Sequence, residues 1–259
     1  MFYLRMFGGL ALERDGAPYS GPAAQRRRLA LLALVAASEA GVGRERLATY
    51  LWPDADATRA RHSVDDALSA LRRELHPEPP LLGVATLRLN PAALASDIAE
   101  QAAALRAGDI ERAVSLYVGP FLDGFFVPGT AEFERWVEME RSRRARAHGL
   151  MLEHLAVGAD GRGDRAGAVR WRRECVAIDP LDTAATLQLL HALVDAGNGA
   201  EALRLARRHE ALVSEELGTS PGPEWARIVL ALRDGMRRAP AVMTPLPATA
   251  AFAVRAREH

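Results

Sequence analysis

One segment occurs three times in this chain, as Gly108-Asp109-Ile110-Glu111-Arg112-Ala113-Val114, as Gly163-Asp164-Arg165-Ala166-Gly167-Ala168-Val169 and as Gly197-Asn198-Gly199-Ala200-Glu201-Ala202-Leu203. Each copy begins with Gly, continues with Asp or Asn, and has Ala five residues after the Gly. The second and third copies begin 34 residues apart (197 − 163 = 34), which is a period of stacked helix pairs. The first and second begin 55 residues apart (163 − 108 = 55), which indicates an insertion between them. The repeat predicts that most of the chain consists of helical hairpins.

The 34-residue period is typical of tetratricopeptide (TPR) arrays. Helical patterns continue after Pro91, and we predict helices over residues 96–107, 109–118, 130–157, 165–178, 183–196, 200–217 and 224–237. We therefore expect an all-α TPR-like domain over residues 96–238 and a loosely ordered tail over residues 239–259. Such an array offers a surface for partners and has no reactive group of its own.

The first 95 residues have a different pattern, in which strands come before helices. Alternating apolar residues on both sides of Gly8-Gly9 predict a β-hairpin. Three helices are predicted over residues 24–38, 44–51 and 57–75, and a second hairpin is predicted around Gly83 over residues 81–89. This order predicts a winged helix-turn-helix (α+β) over residues 1–95, with the third helix as reading helix and the second hairpin as wing. The whole chain is expected to be mainly α.

The composition is that of a soluble globular protein with room for two domains: 259 residues, 49% hydrophobic, 25% charged and a formal net charge of zero. Cys175 is the single cysteine, so an intramolecular disulfide is excluded and a reducing compartment is favoured. The apolar run over residues 29–37 is too short to span a bilayer and predicts a buried helix. We expect a cytoplasmic protein that makes no membrane contact.

The predicted reading helix has one apolar stripe and one polar face. Val64, Leu68 and Leu71 recur at helical spacing and are expected to be buried. At 100° per residue, the opposite face carries Arg59, His62, Asp66, Ser69 and Arg73. Arginine and serine are suited to phosphate oxygens, and an aspartate accepts from cytosine N4 but repels phosphate. The alternative is an ordinary solvated helix face.

Two further basic features lie outside this helix. Arg26, Arg27 and Arg28 open the first predicted helix, where cations oppose the helix dipole. Contact of Arg27 and Arg28 with backbone phosphates is one interpretation, and solvated arginines lying over the sheet is the other. Arg88 is the basic residue of the predicted wing and is expected to contact DNA.

No pattern points to catalysis, a cofactor or a metal. The seven His have no metal-ligand spacing, and no Ser lies in a G-x-S-x-G elbow. Residues 161–167 are rich in Gly but lack the P-loop Lys, and the repeat explains them as a helix turn. The arginines over residues 141–146 follow Glu138 and Glu140 at helical spacing and are expected to pair with them. We expect no enzyme and no small-molecule substrate.

The insertion contains the most specific motifs of the chain. These are Gly119-Pro120-Phe121-Leu122-Asp123-Gly124-Phe125 and Glu132-Phe133-Glu134-Arg135-Trp136-Val137. Together with Leu51-Trp52-Pro53 and Leu71-Arg72-Arg73-Glu74-Leu75, they resemble motifs of the antibiotic regulatory protein (SARP) class over residues 2–235. Those regulators join an OmpR/PhoB-like winged helix to a TPR-type bacterial transcriptional activator domain (BTAD). The resemblance implies binding to double-stranded DNA and transcriptional activation, with RNA polymerase or a second copy of the chain as partner of the repeats.

A protein–protein adaptor that has lost specific DNA binding is the alternative function. Asp65 and Asp66 put two acids on the reading helix, Ala70 stands where members of the class often have Arg, and the wing keeps only Arg88. Binding to duplex DNA with a steep salt dependence distinguishes a regulator from an adaptor.

The insertion also carries Phe121, Phe125 and Phe126, which a solvated loop would not. We expect Phe121 and Phe125 to anchor on the repeats. Another part of the loop is expected to touch the winged helix and to limit its motion.

Overall fold

The computed structural model describes residues 1–238. The chain divides into two units, Met1–Ile178 and Asp179–His259. The predicted domain boundary between residues 95 and 96 therefore falls inside the first unit, where it cuts a strand. The predicted loosely ordered tail, residues 239–259, lies outside the described residues.

The first unit begins with strands and continues as helices. Its strands are β1 (Phe2–Arg5), β2 (Ala11–Arg14), β3 (Ala17–Pro18), β4 (Val42–Gly43), β5 (Leu81–Leu82), β6 (Thr86–Leu89) and β7 (Leu94–Ser96). Its helices are α1 (Arg26–Ala36), α2 (Arg44–Leu51), α3 (Ala57–Glu74), α4 (Asp97–Arg106), α5 (Ile110–Ser115), α6 (Ala131–Gly161) and α7 (Arg165–Ile178), and Pro22–Ala24 form a 3-10 turn.

A four-stranded sheet in the order β3-β2-β1-β7 covers one side of the helices. Strands β1 and β2 are antiparallel, with Phe2 opposite Arg14, and the predicted hairpin is confirmed. Gly8 and Gly9 have φ values of 70° and 117°, which side chains with a Cβ rarely adopt. Strand β7 pairs in parallel with β1 and was not predicted, because three residues are too few to show an alternating pattern.

Helices α1, α2 and α3 and a second sheet, in the order β4-β6-β5, complete a winged helix-turn-helix. The predicted fold class is confirmed. Gly83 makes the turn between β5 and β6 at a φ of 98°, and a Cβ there would lie 2.0 Å from the Thr86 carbonyl oxygen. The hairpin around Gly83 is therefore the wing, as the sequence predicted.

The insertion shares one hydrophobic core with the winged helix. Phe121 is fully buried, pairs through a β-bridge with Phe7 from the N-terminal sheet, and lies 5.7 Å from the Trp136 ring of α6. The anchor on α6 was expected, whereas the pairing with Phe7 was not. Phe125 is half-buried and meets Phe133 edge-on at 6.4 Å, and Phe126 is 52% exposed.

Polar groups also connect the N-terminal sheet, the insertion and the helices that follow. Asp97, at the start of α4, accepts hydrogen bonds from the backbone N–H groups of Met6 (2.6 Å) and Phe7 (2.8 Å). The guanidinium of Arg141 donates to the carbonyl oxygens of Phe121 (3.0 Å) and Leu122 (3.1 Å). These charged groups satisfy backbone atoms that the core takes out of water.

The three repeated segments are helix–helix turns of one geometry. Gly108, Gly163 and Gly197 have φ values of 76°, 71° and 78°. In each turn the next residue donates its N–H to the carbonyl five residues earlier: Asp109 to Ala104 (2.9 Å), Asp164 to Ala159 (2.9 Å) and Asn198 to Leu193 (2.7 Å). The three repeated alanines, Ala113, Ala168 and Ala202, are buried. The 55-residue interval is explained by the loop after α5 and by the 31 residues of α6.

The second unit contains α8 (Thr183–Asp195), α9 (Gly199–Leu217) and α10 (Pro223–Arg238). Helices α8 and α9 form the hairpin around Gly197. His209 of α9 is buried, and its ring lies 4.7 Å from the ring of Trp225 at the start of α10. The Trp225 indole N–H donates to Glu210 at 2.9 Å, which joins α10 to α9.

Candidate nucleic-acid interface

The structure brings five of the predicted contact residues onto one exposed face of α3: Arg59, His62, Asp66, Ser69 and Arg73. The opposite side of the helix packs into the core through Val64, Leu68 and Leu71. Ala70 is buried, so the position where SARP-class proteins often have Arg lies outside the exposed face. The exposed face is therefore polar along its whole length, with an arginine near each end.

Both ends of α3 are fixed. Asp56 caps the N-terminus by accepting from the Arg59 N–H at 2.9 Å, and its other carboxylate oxygen lies 3.2 Å from Nε of Arg59. At the other end, the Tyr19 hydroxyl donates to the Glu74 carboxylate at 2.8 Å, and this hydrogen bond raises the pKa of Tyr19. Arg72 and Arg73 lie in the last turn, where cations interact favourably with the helix dipole. These contacts attach both ends of α3 to neighbouring residues of the winged helix.

The three arginines around the start of α1 all have contacts inside the chain. Arg26 donates to the carbonyl oxygen of Phe126 at 3.1 Å, and Arg28 donates to that of Pro22 at 2.7 Å. The guanidinium of Arg27 lies 6.0 Å from the Trp52 ring, in the turn between α2 and α3. Arg27 is exposed beside the helix-turn-helix, whereas Arg28 is partly buried. Phosphate contact by Arg27 and Arg28 stays a prediction.

Arg88 is exposed on the wing strand β6. Its Nε donates to the carbonyl oxygen of Ala40 at 3.2 Å, in the turn before β4. Its aliphatic stem passes over Gly41, where a Cβ would lie 2.7 Å from Cγ of Arg88. The tip of the wing is apolar, and Val84 there is 81% exposed. DNA contact by Arg88 stays a prediction.

A network between α2, α3 and the wing was not predicted. The guanidinium of Arg44, at the start of α2, donates to the Asp65 carboxylate of α3, and its Nε donates to the Val84 carbonyl oxygen at 2.5 Å. Arg61 of α3 pairs with Glu45 of α2 at 3.1 Å. A cavity of about 420 Å³ lies between the two ion pairs, with Gly43, Val64 and Ala85 as its remaining lining. Such pairs join residues some twenty positions apart and have no sequence periodicity that would have indicated them.

The described residues 1–238 contain no cluster of three or more His, Cys, Asp or Glu with the arrangement of a metal site. Within the same residues, every helix is too short or too polar to cross a membrane.

A family model described as "Bacterial transcriptional activator domain" matches residues 86–233. Among solved structures, the chain is similar to one described as Mycobacterium tuberculosis EmbR in complex with low affinity phosphopeptide. That match has a TM-score of 0.57 and 22% sequence identity, and it covers 90% of this chain. The chain spans 65% of the length of the EmbR chain, and at this identity the likeness shows the fold alone. No curated protein matched the chain.

The family match covers 148 of the 259 residues (233 − 86 + 1 = 148), which is more than half of the chain. It begins in the wing strand β6 and runs into α10. With a winged helix-turn-helix ahead of its helical hairpins, the chain belongs to the bacterial transcriptional activator domain family, as the resemblance to SARP-type regulators predicted.

Proposed function

We propose that this protein is a DNA-binding transcriptional regulator, and an activator rather than a repressor. The observation that carries the proposal is the exposed face of α3, which presents Arg59 and Arg73 at its two ends beside a wing. A helix of 18 residues is about 27 Å long, at 1.5 Å per residue, which is enough to lie along a major groove. The family match supports the activating role.

In this proposal the residues of the face have different tasks. Arg59, Ser69 and Arg73 bind phosphates and set the register of the helix on the duplex. Asp66 lies in the middle of the face, where it accepts from a cytosine amino group and lowers the affinity for duplexes without that base. His62 lies one turn before Asp66 and contacts the same groove. Arg27 binds phosphate beside the turn between α2 and α3, Arg28 binds phosphate at the start of α1, and Arg88 binds phosphate from the wing.

The helical hairpins hold the protein partner. By family likeness, RNA polymerase or a second copy of the chain is the partner, and the protein acts in the cytoplasm, where both are present. Sedimentation of the full chain, alone and mixed with bacterial RNA polymerase, distinguishes the two. A monomer that co-sediments with the polymerase supports the first, and a concentration-dependent dimer supports the second.

Binding of the full chain to a mixed-sequence duplex of about 25 base pairs, titrated at several salt concentrations, tests the proposed function. A regulator should show a log–log slope of roughly −4 to −6, since each phosphate contact contributes about −0.9. The adaptor alternative predicts flat binding in the millimolar range. Asp65, which motivated that alternative, is paired with Arg44, so its negative charge is partly offset within the protein.

A further inference from the structure

Arg44 connects three elements of the winged helix at one point. Its backbone N–H donates to the carbonyl oxygen of Ala85 at 3.2 Å, which extends the pairing of β4 with the wing. Its side chain donates from Nε to the carbonyl oxygen of Val84 at 2.5 Å and from Nη1 to the Asp65 carboxylate of α3. One guanidinium therefore ties the tip of the wing to the reading helix.

We propose that Arg44 and Asp65 form a brace that sets the position of the wing relative to α3, so that both elements engage one duplex with fixed spacing. Asp65 is then a positioning residue that holds the Arg44 guanidinium in place, and its negative charge is not a defect of the DNA face. The inference rests on the proposed function for its effect on DNA, while the brace itself is a property of the free protein.

Leu81 and Leu87 are buried in the core and anchor the base of the wing, whereas the tip beyond them has few other contacts and depends on this brace. Strands β4 and β5 have two residues each, so the three-stranded sheet has few ladder hydrogen bonds. Val84 at the tip is exposed and adds no packing. The Arg44 side chain is 30% exposed and that of Asp65 is 54% exposed, so the pair is less open to water than the control pair described below. Hydrogen bonds to charged groups are stronger than neutral ones, and the planar guanidinium serves both acceptors at once, which a lysine ammonium on a flexible stem does less well.

A second ion pair provides a matched control. Arg61 and Glu45 also join α3 to α2, at 3.1 Å, and line the same cavity. Both side chains are well exposed, at 63% and 83%, and neither has a hydrogen bond to the wing among those of the described residues. Arg61→Lys keeps the positive charge, as Arg44→Lys does, and Glu45→Gln removes one negative charge, as Asp65→Asn does. Neither control substitution changes a residue of the brace.

The first test is amide hydrogen exchange of the free, full chain. Arg44→Lys and Asp65→Asn should each speed exchange over residues 84–89 by about tenfold, because a charge-assisted tether of the wing is lost. Arg61→Lys and Glu45→Gln should leave these amides within about twofold of the wild type, since exposed pairs contribute little. Equal exchange in all four variants would overturn the brace.

The second test compares the affinities for two duplexes. One is selected by the wild type from a random pool, the other has a mixed sequence, and the ratio of the two affinities measures discrimination. Asp65→Asn and Glu45→Gln remove the same charge, so general electrostatics affects them alike. The brace predicts that the ratio falls by about tenfold in Asp65→Asn and Arg44→Lys and stays unchanged in the two controls. A ratio that is the same in all variants overturns the positioning role. If the wild type binds no duplex, the proposed function fails, and the exchange comparison alone decides whether the brace exists.

Discussion

At the scale of single residues, two neighbouring acids on α3 have different surroundings. Asp65 is paired with Arg44, whereas Asp66 is exposed on the face that carries Arg59 and Arg73. The helical spacing predicted that Asp66 lies on the exposed face, because a rotation of 100° per residue determines which residues of a helix share a side. It did not predict the partner of Asp65, because that contact comes from a different helix.

Asp66→Asn should raise the affinity for a mixed-sequence duplex by about fivefold at low ionic strength, because a like charge about 4 Å away costs roughly 1 kcal/mol in water. It should also reduce the discrimination between selected and mixed duplexes. Glu111→Gln removes an equal charge from α5 and serves as control. If Asp66→Asn and Glu111→Gln behave alike in fluorescence anisotropy titrations, α3 does not enter the groove.

His209 is a buried titratable residue of the second unit. Its Nδ1–H donates to the carbonyl oxygen of Pro180 at 3.2 Å, because a carbonyl only accepts, and its Nε2 lies 2.9 Å from the Thr183 hydroxyl, which can donate to a neutral ring. Burial lowers the pKa of His209 from its ordinary value of 6.5. The unfolded chain therefore takes up the proton first. The contribution of His209 to the stability of α8–α10 is fully present above pH 6.5 and is lost as the pH falls from there through the folded-state pKa.

A proton NMR titration should give His209 a pKa below 6.5, with its resonance assigned by its loss in His209→Gln. The variant should also lose less stability than the wild type between pH 7 and pH 5 in urea unfolding followed by the tryptophan fluorescence of the chain. A midpoint at or above 6.5 would contradict the buried, neutral ring.

At the scale of elements, the repeated Gly and Ala positions show what a sequence can establish. The same turn occurs three times because glycine readily adopts the left-handed conformation and the small side chain of alanine lets the helices approach closely. The helix bounds were also predicted closely from the sequence. For example, α7 was predicted over residues 165–178 and is observed over Arg165–Ile178. Short strands such as β4 and β7 could not be predicted, because they owe their existence to partners far away in the chain.

Ala168→Leu tests the repeat register. Ala168 is 1% exposed in the contact of α7 with α6, so a larger side chain should cost about 1–3 kcal/mol of unfolding free energy. Ala166→Leu, on the exposed side of the same helix, should change it by less than about 0.5 kcal/mol. Urea melts of the full chain give both values, and wild-type stability in Ala168→Leu would show that the register is wrong.

Phe121 tests the insertion. It is fully buried between Phe7 and α6, so Phe121→Ala should destabilise the full chain by about 3–5 kcal/mol. Phe126→Ala removes the same side chain from a site that is 52% exposed and should cost much less. The sequence predicted the same anchoring role for Phe121 and Phe125, and the partial exposure of Phe125 makes Phe121 the position with the larger expected effect. Equal losses for Phe121 and Phe126 would place Phe121 outside the core.

At the scale of the whole molecule, the winged helix and the first helical hairpins share one core. Phe121, Leu122 and Val137 from the insertion and α6 belong to the same cluster as Leu4 and Leu31 of the winged helix. The sequence predicted that part of the inserted loop touches the winged helix, but it could not show that both belong to one core, because such contacts join residues far apart in the chain. The α3 face, in contrast, followed from the helical pattern together with the family motifs.

The salt dependence of duplex binding by the double variant Arg59→Ala/Arg73→Ala, compared with the wild type, shows whether α3 is the helix that contacts DNA. Loss of two phosphate contacts should weaken binding to every duplex about equally and make the log–log slope less steep by about 2. Arg207→Ala/Arg208→Ala removes the same charge from the exposed side of α9 and should leave the slope unchanged. Identical slopes for the wild type and the Arg59/Arg73 variant would contradict the claim that α3 is the DNA-binding helix.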